Sequence, residues 1–204
     1  MPAAFLVPGF SPDRDFTDPS LDVLKNTMAE HDVLLYGVTD GWNEHSVRSF
    51  GVRAIEQYQR FEHDGILIGH SLGALAALSV VNTVSVQHLL LCSPSALFAE
   101  DIRANLDSSI SKRIGEKRVQ ELARFSAAEA VSSVNRLGLA TTVLFGEKER
   151  DLHPQVVARS SKLAARITGA TLLEVTGAAH FIGEKPYASE LARVVSNIVT
   201  GLKQ

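Results

Sequence analysis

Cysteine is almost absent: Cys92 is the only one in 204 residues. No disulfide can form within the chain, and no zinc site built on several thiolates is available. A lone free thiol fits a reducing compartment. Excess charge is missing too. Twenty Lys and Arg stand against 23 Asp and Glu, a formal net charge of −3, with no long basic run. That argues against a nucleic-acid partner and against an anionic membrane surface. No apolar stretch reaches the ~18 residues that suggest a membrane span. The opening MPAAFLVPGFSPDRDF has no basic residue ahead of its short apolar run, and acidic residues follow closely, unlike a secretory signal. The expectation is a cytoplasmic protein. Low-complexity tracts and repeats at solenoid spacing are also lacking.

What is present is an ordinary globular mix, 45% hydrophobic and 21% charged. The length suits one domain, residues 1–204, with a sizeable core. Six short apolar runs read as strands: Ala3–Val7, Val33–Val38, Gly65–Gly69, Val86–Cys92, Thr141–Phe145 and Thr171–Val175. Most are continuous rather than alternating, as in strands covered on both faces. Helical patterns lie between them. In DPSLDVLKNTMAEH, Asp18 can cap, Pro19 suits a first turn, and Leu21, Leu24 and Met28 share a face. Glu44–Phe61, Leu72–Val81, Pro154–Ile167 and Tyr187–Leu202 are further helices. Alternation of strand and helix predicts an α/β fold, a mainly parallel sheet of about six strands with helices on both faces. Almost fifty residues separate the strand ending near Cys92 from the one starting near Thr141. They have a helical pattern, with Ser126 and Glu129 spaced as a capping box. The excess length suggests a helical lid inserted at about 95–137. The plainer alternative is extra helices that pad the sheet.

Chemistry enters at GILIGHSLGALAAL, residues 65–78. Gly-x-Ser-x-Gly arises by chance in roughly one chain in twenty of this length, so its context decides. Here it follows an apolar strand and precedes a helix, the setting of a nucleophile elbow. A sharp strand-to-helix turn strains the serine backbone and crowds the flanking positions, which Gly69 and Gly73 leave open. Ser71 would stand above the sheet edge, and the Leu72 N–H at the helix start would face a developing oxyanion. A serine hydroxyl needs a base. Of seven histidines, His180 follows the last predicted strand, on the same edge as the elbow. His70 is nearer in sequence, but its ring cannot easily reach round the turn. An acid should fall between serine and histidine in chain order. TTVLFGEKERDLHP offers Glu147, Glu149 and Asp151, and Asp151 has a second possible use as a cap for the helix at Pro154. CSPSALF, after the preceding strand, offers no carboxylate.

Taken together, FLVPGF, GILIGHSLGALAAL, TTVLFGEKERDLHP and GAAHF resemble the α/β-hydrolase superfamily, over nearly the whole chain. The resemblance implies the α/β-hydrolase fold, in a compact version that begins at the first parallel strand. The family's His-Gly-x loop reads Pro8-Gly9-Phe10 here, which makes the Phe10 N–H the second oxyanion donor beside Leu72. The family's acid position maps to Glu149, where aspartate is commoner, with Asp151 as the alternative. The long insert lies where the family places its cap. The implied activity is cleavage of a small ester or thioester through an acyl-enzyme, by Ser71, His180 and Glu149, with no cofactor and no metal. Phe98 and Phe181 are candidates to line the substrate pocket, together with Phe10 and Leu72. The fold also hosts lyases and cofactor-free haloperoxidases, and a non-catalytic binding module is a further alternative. A dehalogenase would call for aspartate at position 71. A nucleotide-binding domain would call for a glycine-rich first loop, which VPGFSPDRDF does not supply.

Overall fold

A computed structural model describes residues 3–11, 15–43, 45–60, 65–95, 118, 120, 121 and 127–201. Six strands form one sheet: β1 (Ala3–Val7), β2 (Leu34–Gly37), β3 (Ile66–His70), β4 (His88–Cys92), β5 (Ala140–Gly146) and β6 (Thr171–Val175). All five pairings are parallel, in the order β2-β1-β3-β4-β5-β6. The α/β expectation of about six parallel strands is met. From β1 the chain steps outward to β2, then crosses back to β3 on the other side. The order therefore reverses between β1 and β3, and the crevice beyond their carboxyl ends is where open α/β sheets bind ligands.

Helices cover both faces because side chains alternate along each buried strand. Phe5, Val7, Leu67, Leu89, Leu91 and Val143 pack into one core with helices α2 (Val47–Tyr58), α3 (Leu72–Val80), α4 (Ala127–Leu137) and α6 (Pro154–Arg166). Ala4, Leu6, Ile66, Ile68, Leu90 and Leu144 pack into the other with α1 (Asp22–Glu30) and α7 (Lys185–Gly201). The single turn α5 (Glu149–Leu152) follows β5. Among the described residues, no helix is long and apolar enough to cross a membrane.

Local side-chain caps explain two of the helix starts. Asp18 caps a short 3-10 turn, Pro19–Leu21, by accepting from the Ser20 N–H at 2.7 Å, and that turn leads into α1. Leu21, Leu24 and Met28 are all buried. α2 starts at Val47 rather than Glu44, because Ser46 and Ser49 close a capping box in which serine replaces the usual Glu or Gln. Glu121 adds to that helix start, accepting from the N–H groups of Val47 at 2.6 Å and Arg48 at 2.9 Å.

Most of the expected lid, residues 96–117, 119 and 122–126, lies outside the described residues, as do Phe98 and the Ser126 cap. Its last stretch is α4, whose Ala127, Ala130, Val131 and Val134 are buried against α3 and its neighbours. This stretch packs on α3 through its apolar stripe.

Candidate active site

The β3–α3 turn is strained at one residue. Ser71 has φ 52 and ψ −118, the left-handed side that non-glycine residues avoid. The conformation is held from both sides. The Ser71 N–H donates to the Cys92 carbonyl at 2.9 Å, and the Ser71 carbonyl accepts from Ala74 and Ser95, each at 3.1 Å. The flanking glycines are needed for space. A methyl at Gly73 would stand 2.2 Å from the Val7 carbonyl oxygen, and one at Gly69 would stand 2.6 Å from Ala74 Cα. Gly9 brings the loop after β1 against the same serine, its missing Cβ 3.1 Å from Ser71 Cβ. Leu72 begins α3, where the first N–H groups have no partner within the helix. Neither the Leu72 N–H nor the Phe10 N–H donates to an acceptor among the described residues.

His180 and Ser71 are 109 residues apart in sequence, yet Ser71 Oγ lies 3.0 Å from His180 Nε2. On the other side of the ring, His180 Nδ1 lies 2.6 Å from Glu149 Oε1. Glu149 has no exposed surface. Its Oε2 accepts from the Gly146 N–H and from Ser93 Oγ, each at 2.7 Å. The three carboxylates after β5 thus part company. Glu149 meets His180. Glu147 accepts from the Gly177 N–H at 2.7 Å and so fastens the loop that carries His180. Asp151 is exposed, and it does not cap α6 either, since His153 is the N-cap there. Helix geometry is the reason. Residues 149 and 151 both belong to α5, and two residues at about 100° each point nearly opposite ways.

His70 is 7% exposed and supports the site without reaching Ser71. Its Nε2–H donates to the His180 carbonyl at 2.9 Å. Burial, with the nearby His180 second, drives its pKa down to about 3, so the ring stays neutral. Phe181 packs its ring edge near His70, 6.3 Å between centroids, and against the core on the α1–α7 face. Phe10 rests on the opposite core beside Trp42, 5.9 Å away, with the Arg118 guanidinium over it at 4.9 Å. Leu72 is buried in that core too, at 4% exposure. Among the described residues, no group of three His, Cys, Asp or Glu side chains is placed to hold a metal ion.

No protein-family model matches the sequence, and no curated protein is significantly similar to it. Solved structures are similar in fold. Est1E from Butyrivibrio proteoclasticus superposes with a TM-score of 0.71 at 16% identity, over 98% of this chain and 87% of that one. The esterase domain of a Rhodothermus marinus protein gives 0.64 at 15%, over 96% and 85%. A monoacylglycerol lipase from Paleococcus ferrophilus gives 0.64 at 16%, over 97% and 94%. This chain has the α/β-hydrolase fold.

Within this α/β-hydrolase fold, the turn after β4 supplies residues that the sequence pattern did not flag. Ser93, with φ 45, donates to Glu149 and lies 3.2 Å from the Tyr187 hydroxyl. Because the Ser93 proton goes to the carboxylate, Tyr187 is the donor in that pair. Both groups are fully buried. Ser95 Oγ lies 3.2 Å from Ser71 Oγ. The turn after β4 reaches the site because β4 pairs with both β3 and β5, which sets its exit between Ser71 and Glu149.

Proposed function

We propose that this protein is a serine hydrolase that cleaves a small ester or thioester through an acyl-enzyme. The carrying observation is the unbroken line Ser71 Oγ, His180 Nε2, His180 Nδ1, Glu149 Oε1, with steps of 3.0 and 2.6 Å, built on a strained turn. Strain of this kind costs on the order of 1–3 kcal/mol and persists where the surroundings enforce it. The esterase and lipase likenesses support the same bond type.

In this reading, Ser71 Oγ attacks the acyl carbon and its proton passes to His180 Nε2. Glu149, acceptor to Nδ1–H, holds the ring's orientation and stabilises the imidazolium as it forms. The N–H groups of Leu72 and Phe10 receive the oxyanion. When the intermediate collapses, the bond to the leaving oxygen or sulfur breaks and the leaving group takes the proton from His180. Water then gives a proton to His180 and attacks the acyl carbon, releasing the acid and restoring Ser71.

A fluorophosphonate probe tests the nucleophile. The native protein should be labelled and Ser71→Ala should not. Glu149→Gln should lower kcat at least about a hundredfold on p-nitrophenyl esters, by analogy with the triad acid of serine proteases. A folded native protein that takes no label and hydrolyses neither p-nitrophenyl esters nor acyl thioesters of any chain length would sink the proposal.

A further inference from the structure

Ser95 lies two residues past the strained Ser93, in the turn that leaves β4. It meets Ser71 twice. Its N–H donates to the Ser71 carbonyl at 3.1 Å, and its Oγ stands 3.2 Å from Ser71 Oγ. A count of protons sets the direction of the second bond. Glu149 Oε1 accepts from His180 Nδ1–H at 2.6 Å. In a neutral imidazole, Nε2 then carries no proton and can only accept. The single Ser71 proton is directed to Nε2, 3.0 Å away. None is left for Ser95, so the Ser95 hydroxyl donates to Ser71 Oγ.

We propose, resting on the serine-nucleophile reading, that Ser95 is a dedicated hydrogen-bond donor to the attacking oxygen. As His180 takes the Ser71 proton, negative charge builds on Oγ. A hydrogen bond to a charged oxygen is roughly twice as strong as a neutral one. The Ser95 bond is therefore worth more on the way to the transition state than at rest, which lowers the barrier rather than the substrate's dissociation constant. It also keeps the Ser71 hydroxyl in the orientation that faces His180. Once Oγ is bonded to the acyl carbon it is a weak acceptor, and the Ser95 hydroxyl is released. Ser95 keeps its own proton throughout, and no covalent bond to it forms or breaks.

The backbone N–H that Ser95 gives to the Ser71 carbonyl is kept by alanine and threonine, so removal of the hydroxyl isolates its contribution. Ser95→Ala and Ser95→Thr are compared with wild type on a short-chain p-nitrophenyl ester and in the rate of fluorophosphonate labelling. Ser95→Ala should lower kcat and the labelling rate about tenfold, the scale of one hydrogen bond to a charged group, with KM within about twofold. Its melting temperature should match wild type. Ser95→Thr, which restores the hydroxyl, should recover most of the loss. Wild-type kcat and labelling rate in Ser95→Ala overturn the proposal. So does a loss confined to KM, or one that tracks a lowered melting temperature. If wild type itself neither turns over esters nor takes the label, the nucleophile reading fails before Ser95 is changed.

Discussion

A carboxylate with no exposed surface is costly unless donors meet it, and three meet Glu149: Gly146 N–H, Ser93 O–H and His180 Nδ1–H. Deleting one donor leaves a buried oxygen short of a partner. Ser93→Ala should therefore lower kcat/KM about tenfold and reduce stability by ~1–3 kcal/mol. Asp151→Asn, on an exposed residue, should leave both within about twofold and ±0.5 kcal/mol. Ester hydrolysis and urea unfolding measure the two quantities, and equal effects of the two substitutions would count against the assigned acid. The sequence narrowed the acid to a five-residue stretch because strand, glycine and charged loop are patterned. Resemblance then favoured Glu149. Ser93 and Ser95 were not legible, since a hydroxyl in a loop has no periodicity to betray its partner, and Tyr187 read only as the start of a helix.

At the scale of elements, buried parallel strands announce themselves as unbroken apolar runs, and β1 begins and ends where its run does; the exposed edge strand β6 also keeps its expected bounds. Boundaries shifted where a side chain outside the pattern decided them, as Ser46 and Ser49 did for α2. α3 presents a competition between two effects that the sequence displays only in part. Alanine at Gly73 would favour the helix by roughly 1 kcal/mol. It would also push a methyl to 2.2 Å from the Val7 oxygen and 2.4 Å from the Pro8 oxygen, both backbone atoms of the neighbouring strand and its exit loop. Overpacking against atoms that cannot swing aside costs about 1–3 kcal/mol or more, so the clash should win. Gly73→Ala should be destabilised and lose activity, since Pro8 leads directly into the proposed oxyanion loop. At Gly201, the last residue of α7, a methyl would meet no described atom within 4 Å. Gly201→Ala should be neutral or slightly stabilising. Urea midpoints for the pair decide the matter: if both substitutions stabilise, the close contact at Gly73 is not real.

At the scale of the whole molecule, the site exists because every strand runs parallel and β1, out of chain order, lies beside β3. β1 sits between β2 and β3, and β4 between β3 and β5, so the loops ending in Phe10, Ser71, Ser95, Glu149 and His180 converge on one edge. Alternating patterns predicted the parallel sheet, but they carry no information on which strand lies beside which. Convergence also buries a titratable group at the seam. His70, linked to the His180 carbonyl, has its pKa lowered from 6.5 to about 3. His88, beside Thr142, is shifted down by burial as well. Below pH 6.5 the unfolded chain binds a proton at His70 that the native state refuses. The unfolded state then binds more protons, so stability is full above pH 6.5 and falls with decreasing pH until about 3. At pH 5 the loss from His70 alone is about 2 kcal/mol. His70→Gln keeps an N–H for the His180 carbonyl but cannot titrate. Unfolding free energies at pH 7.5 and pH 5 should differ by about 2 kcal/mol less in the variant than in wild type. Parallel pH dependences in the two proteins would mean that His70 is protonated in the native state, and the buried, neutral ring assigned to it would be wrong.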